Sequence, residues 1–135
     1  MIIVDSGVWI DFFNNKKTKE AEILQKIINN KTEIGINYLI MAEILQGAKN
    51  ENEYEETKMI LDELKLLEID YDTIILSSSI FRACKKGNAF INGQTMKTID
   101  CIIASICIEY GIELLHRDTH FDFISKFSNL KVYCK

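Results

Sequence analysis

The chain predicts an α/β fold, with a mainly parallel central sheet and helices on both faces. Three observations carry this. Short apolar runs alternate with longer segments of helical spacing, as strand–helix–strand units require. Ile2-Ile3-Val4 is apolar at every position, as a strand buried on both faces should be. Asp5 and Asp118 each come just past an apolar run, on the edge where parallel sheets build their sites.

The elements follow in order. Residues 2–4 form the first strand, and Ser6 caps a helix reaching about residue 13. A second helix covers about residues 17–30, where Ala21, Ile23, Leu24, Ile27 and Ile28 recur at helical spacing. Residues 33–36 read as a strand, and Asn37 caps a helix over about residues 38–48. The charged stretch 51–64 is helical, residues 66–69 are a third strand, and a long helix spans about residues 71–86. Residues 87–98 form a polar loop, and residues 99–109 a helix closed by Gly111. Residues 113–115 are the fourth strand, residues 119–125 a short helix and residues 131–133 a last strand. Proline is absent, so turns rest on pairs such as Asn14-Asn15, Asn29-Asn30 and Gly87-Asn88. No linker or repeat divides the sequence, and a single domain over residues 1–135 is expected.

Composition narrows the function. Hydrophobic residues make up 47% of the 135, enough for a full core. No apolar run approaches the roughly 18 residues of a membrane span. Met1 to Val4 runs straight into Asp5, which reads as a strand and not as a signal peptide. Cys84, Cys101, Cys107 and Cys134 show no C-x-x-C spacing and read as reduced thiols of a cytoplasmic protein. A net charge of −4 weighs against a protein that simply coats nucleic acid. It leaves room for an enzyme whose acidic centre holds cations against phosphate. Neither a phosphate-binding glycine motif nor a G-x-S-x-G elbow is present.

Four carboxylates stand where carboxylates seldom belong. Asp5 and Asp118 follow strands, and Glu43 and Asp100 lie within apolar helical segments. Asp100 heads a stripe continued by Ile103, Ala104 and Cys107 at i+3, i+4 and i+7, at the helix end where the dipole favours an anion. Each alone has a plainer reading: Asp5, Asp100 and Asp118 as capping residues, Glu43 as a surface glutamate. A buried carboxylate costs several kcal/mol unless paired or bound to metal, and four that converge need cations between them. Asp122, one turn after Asp118, is a fifth candidate ligand or a solvated or supporting residue. His116 ends a strand, so it does not share a helix face with His120, and no H-E-x-x-H is present. A zinc pair is therefore not expected.

In order and context these segments resemble the PIN-domain family, and within it the VapC-type toxins of toxin–antitoxin pairs. The matching segments are Val4-Asp5-Ser6, Met41 to Gly47 around Glu43, Thr98 to Ala104 around Asp100, and Leu114 to Asp122 around Asp118. Asn37 and Gly7 depart softly from the residues usual there. The resemblance implies a three-layer sandwich and an Mg²⁺- or Mn²⁺-dependent endoribonuclease acting on tRNA or other structured RNA. It carries Asp5, Glu43, Asp100 and Asp118 over as the acidic cluster, with Asp122 less secure. It further implies a homodimer and a small antitoxin whose C-terminal segment fills the groove. Hard cations suit carboxylate oxygens, and a metal-activated water would attack the phosphodiester, with one or two metals. Arg82, Lys85, Lys86 and Lys97 around the 87–98 loop, with Arg117 as the alternative, are candidates to hold RNA phosphate. The competing reading is a PIN-like RNA-binding or interaction module without catalysis; a receiver-like phosphoacceptor is more remote.

Overall fold

Ile3, Val4, Leu114 and Leu115 have no exposed surface, so the strands that carry them are covered on both faces, as a parallel sheet requires. The computed structural model describes residues 1–87 and 96–133. Within them β1 (Ile2–Val4), β2 (Ile34–Ile36), β3 (Lys65–Leu66) and β4 (Glu113–Leu115) form one sheet in the order β3-β2-β1-β4. All neighbouring pairs are parallel. Ile3 stands opposite Gly35 on one side and Leu114 on the other, and Val4 stands opposite Leu115. At Gly35 a Cβ would lie 2.6 Å from Leu67 Cδ1, so the bare glycine lets that buried leucine lie close over β2.

The helices are α1 (Ser6–Phe13), α2 (Lys19–Asn29), α3 (Tyr38–Leu45), α4 (Glu51–Asp62), α5 (Tyr71–Lys86), α6 (Thr98–Tyr110) and α7 (Thr119–Lys126). They pack in two groups. α1 lies against α2 and α3, and α3 against α4; α6 lies against α5 and α7. With the sheet this is the three-layer α/β arrangement that the alternation predicts. Side chains cap five of the seven described helices, but Ser6, expected to cap α1, is instead its first residue, because the chain turns into the helix at Asp5, which takes the N-cap position. Thr18 accepts the Ala21 N–H at 3.1 Å, which moves the start of α2 two residues beyond the expected Lys17. Asp70 and Thr73 form a reciprocal capping box on α5. Gly111 ends α6 in the left-handed region at φ 66°, where glycine carries no side-chain penalty. α3 is shorter than the sequence suggests and stops at Leu45, ahead of Gly47.

Two strands differ from the expected bounds. β3 covers Lys65–Leu66 and not residues 66–69, although the Leu67 N–H still reaches Ile36 O at 2.8 Å. The cause is its partner: β2 ends at Ile36, and Asn37 turns the chain into α3. Asn37 works on both sides of that turn. Its Oδ1 accepts the Leu39 N–H at 2.9 Å, and its Nδ2 donates to Leu67 O at 2.7 Å. Past Leu67, β3 therefore has no backbone to pair with. The expected last strand over residues 131–133 is a single parallel bridge from Val132 to Leu114. Leu114 N–H donates to Lys131 O and Tyr133 N–H to Leu114 O, so the segment meets one residue of β4 and extends no further as a ladder. The polar loop expected at residues 87–98 falls largely in residues 88–95, outside the described residues, and Thr98 already belongs to α6. Cys84, Cys101 and Cys107 are buried and free, and burial pushes the Cys101 and Cys107 thiols up to about 12. Cys134 lies outside the described residues. No described helix is long and apolar enough to cross a membrane.

Asn37 is 2% exposed and serves a helix and a strand together. Asn37→Ala should cost on the order of 2–3 kcal/mol, about 1 for the lost cap and the rest for an unpaired Leu67 carbonyl. Asn37→Ser should recover the cap share alone. Urea unfolding of the three proteins measures both, and equal midpoints for wild type and Asn37→Ala would refute the assignment.

Candidate active site

The site grows from the point where the strand order reverses. The chain leaves β1 for β2 on one side, while β4 lies on the other, and such a switch point opens a crevice beyond the carboxyl ends of the strands. Asp5 is the first residue past β1. Its N–H donates to Leu115 O at 3.0 Å, which ties it to the end of β4. Asp5 occupies the N-cap position of α1 with extended backbone, yet its side chain makes no capping bond. The carboxylate is thus not spent on the helix. Asp118 lies three residues beyond β4 and does cap α7, accepting the His120 N–H at 2.9 Å. Asp100 is the third residue of α6, and Ile103, Ala104 and Cys107 continue its face into the core. Glu43 is half-buried on α3. Asp5 and Asp100 are each 8% exposed. All four carboxylates line one open cleft with Lys97, Arg117, Ser6, Gly7 and Thr119.

The convergence shows in the electrostatics. Burial above all, with the charges of Asp100, Glu43 and Asp118 adding to it, pushes the Asp5 carboxyl up to about 7. The Ser6 backbone N–H pulls the other way. Asp100 is also raised, first by burial and then by Asp118, against the His120 hydrogen bond and the Lys97 charge. A divalent cation among these groups removes both penalties, desolvation and mutual repulsion. The donor set is mainly carboxylate oxygen, which fits a hard dication.

The histidines take separate partners. His120 Nδ1 lies 3.2 Å from Asp100 Oδ2 and 3.7 Å from Asp118 Oδ1. His116 Nδ1 accepts the Asp118 N–H at 3.0 Å, which assigns the ring proton of a neutral imidazole to Nε2. That nitrogen faces Asp122 Oδ1 at 3.3 Å. Asp122, its side chain 60% exposed, is therefore engaged by His116 behind the Asp118 turn. The two rings do not face a common point as a zinc pair would.

The basic candidates separate as well. Lys97, at the N-cap position of α6, and Arg117 both line the cleft. Arg117 Nε lies 2.6 Å from Asp11 Oδ2 and 3.4 Å from Gly7 O, so α1 holds the guanidinium in place. A Cβ at Gly7 would lie 3.4 Å from that guanidinium, in ordinary contact with it. Arg82, Lys85 and Lys86 are exposed at the end of α5 and are not among the residues lining the cleft. Two residues escape a reading of the sequence. Asp11 is buried at 4% exposure, and its only signal is an acid inside the apolar run from Val8 to Phe13. His120 enters the sequence reading only beside His116, as a zinc pair that is not expected; its place two residues after Asp118 in a capped first turn is the signal that fits.

The PIN domain family pattern matches residues 2–126. A VapC ribonuclease of Mycobacterium bovis is 29% identical, aligned over 97% of this chain and 96% of its own length. In fold the chain is similar to VapBC2 from Rickettsia felis bound to a DNA fragment from their promoter. The TM-score there is 0.71, with 16% identity over 98% of each chain. It is also similar to a toxin–antitoxin complex from Klebsiella pneumoniae, with a TM-score of 0.69 and 23% identity over 88% of each chain.

The raised Asp5 carboxyl has a stability consequence with a definite sign. Between its ordinary 3.8 and about 7, the folded state holds a proton that the unfolded state has lost. Stability from this group is therefore highest at low pH and falls as pH rises through that window, by on the order of 4 kcal/mol in full. In EDTA, the Asp5→Asn variant should gain stability over wild type at pH 8 and lose that advantage near pH 4. Thermal melts of both proteins across this range measure the difference, and a gap independent of pH would contradict it.

Proposed function

The chain belongs to the PIN domain family, and from that premise we propose that it is a metal-dependent endoribonuclease, the toxin of a toxin–antitoxin pair. The observation that carries the proposal is the gathering of Asp5, Glu43, Asp100 and Asp118 in one cleft at the β1–β4 switch point, flanked by Lys97 and Arg117. Asp5 and Asp100, the most buried of the four, hold a Mg²⁺ or Mn²⁺ ion. Glu43 and Asp118 hold it too or orient water. When bound, the cation supplies Lewis-acid stabilisation of charge on the phosphate and makes nucleophilic water available near neutral pH. Lys97 and Arg117 position the RNA phosphates by charge, Arg117 from a guanidinium already immobilised by Asp11. The net charge of −4 makes such local contacts necessary, because the molecule as a whole repels RNA.

The partner is an antitoxin protein, and the chain pairs with a second copy of itself. The likeness to toxin–antitoxin assemblies supports the first. For the second, Tyr71, Ile74 and Ile75 expose an apolar stripe at i, i+3 and i+4 of α5, the kind of face that a protein interface covers.

Purified protein should cleave RNA in Mg²⁺ or Mn²⁺ and stop in EDTA. Asp100→Asn should lower cleavage at least about a hundredfold with the circular dichroism spectrum unchanged. Expression of the chain alone should arrest growth, and the same substitution should relieve the arrest. Undiminished cleavage in EDTA would sink metal dependence, and RNA binding without cleavage under every metal condition would favour a non-catalytic module.

Phosphate contacts can be counted by salt. In the Asp100→Asn background, Lys97→Ala and Arg117→Ala should each flatten the slope of log affinity against log salt by about one, whatever the RNA sequence. A Lys85→Ala, Lys86→Ala pair should change it less. The reverse ranking would move the RNA path from the cleft to the end of α5.

A further inference from the structure

His120 is a nitrogen donor inside an otherwise all-oxygen cluster. We propose that His120 is a direct ligand of the cation at this site, and that through it the site favours a first-row transition dication such as Mn²⁺ over Mg²⁺. This rests on the metal-dependent reading above and specifies it.

Three observations support the assignment. One ligand atom each from Asp100, Asp118 and His120 lies within 4.8 Å of the others, a spacing that a single ion spans. The ring is held there by backbone. His120 N–H donates to Asp118 Oδ1 at 2.9 Å, so the capping turn that sets the Asp118 carboxylate also sets the root of the imidazole. The third is placement: His120 is 7% exposed, beside Asp100 and Asp118, while Phe121 and Ile124, with no exposed surface, supply the hydrophobic anchor of α7. Packing therefore does not call for an imidazole at this position. Its nearest carboxylate contact, 3.2 Å from Nδ1 to Asp100 Oδ2, points the nitrogen at the group that heads the α6 stripe.

The consequence is one of donor chemistry. Mg²⁺ takes oxygen ligands and parts reluctantly with water. First-row transition dications, the later ones most strongly and Mn²⁺ still more than Mg²⁺, accept imidazole nitrogen, so a mixed nitrogen–oxygen site shifts the balance away from Mg²⁺. Asp5, Glu43, Asp100 and Asp118 alone would give less of that bias. A histidine in the cluster lowers the negative charge that a purely carboxylate fifth donor would add, which further disfavours the hard, strongly hydrated ion.

Pulsed electron paramagnetic resonance on the Mn²⁺-loaded wild-type protein tests the bond itself. Electron spin-echo modulation from one directly bound ¹⁴N is expected, and it should vanish in His120→Asp. Calorimetric titrations with Mn²⁺ and with Mg²⁺ test the consequence: the ratio of the two affinities should fall about tenfold or more in His120→Asp. Bound Mn²⁺ without nitrogen modulation in the wild type would overturn the proposal and leave His120 as a group that only orients Asp100. So would an unchanged affinity ratio in the variant. Failure of Mn²⁺ and Mg²⁺ to bind at all would overturn this proposal together with metal dependence, an outcome distinct from the other two. The wild-type spectrum does not depend on any variant folding.

Discussion

The parallel register of β1 on β4, with Val4 opposite Leu115, sets where both segments leave the sheet. Asp5 continues that pairing through its N–H to Leu115 O, and Asp118 follows a short turn later. Had the register slipped by one residue, the Asp5 N–H would no longer meet Leu115 O and the two acids would part. The burial of Ile3, Val4, Leu114 and Leu115 on both faces is what holds it. The hydrophobic core and the acidic cleft are thus two results of one alignment. α6 then brings Asp100 from the side, with the rest of its stripe locked into the core.

The cleft is bought with stability. Burial and three neighbouring charges raise the Asp5 carboxyl to about 7, a cost in stability at neutral pH. The capping contrast points the same way. Asp118 caps its helix and Asp5, in the equivalent position, does not. A helix start tolerates a missing side-chain cap at about 1 kcal/mol, so leaving the Asp5 carboxylate uncommitted is affordable in the physical sense of being small beside the core. Around the cluster, an ion pair and a polar contact fix the supporting groups: Asp11 holds Arg117, and the His116 ring faces Asp122. Neither partner faces the cleft as a bare charge. Each instead determines how a cleft residue or its supporting turn is set.

The basic residues show how far linear proximity misleads. Arg82, Lys85, Lys86 and Lys97 look like one cluster in the sequence because a loop joins them. In space Lys97 belongs to the start of α6 and to the cleft, whereas the other three lie on the last turns of α5. Arg117, remote from them all in sequence, shares the cleft with Lys97.

By itself the sequence determined what repeats locally. The alternation of apolar runs and helical stripes placed the strands and the helices, with the bounds of α5 and β4 met to the residue. Strand ends followed by acids marked Asp5 and Asp118, and the i+3, i+4, i+7 stripe marked Asp100, because periodicity is a property of neighbours along the chain. Tertiary structure alone decided pairings between distant segments. It shortened β3 by taking away the partner backbone beyond Ile36, and it reduced the last strand to one bridge on Leu114. It set Arg117 on Asp11, 106 residues away, and His120 on Asp100. It also allowed Asp118 to be both a helix cap and a wall of the cleft, two roles that a sequence reading treats as alternatives. Those contacts follow from how α1, α6 and α7 pack around one sheet edge, and packing leaves no period in the sequence from which it can be read.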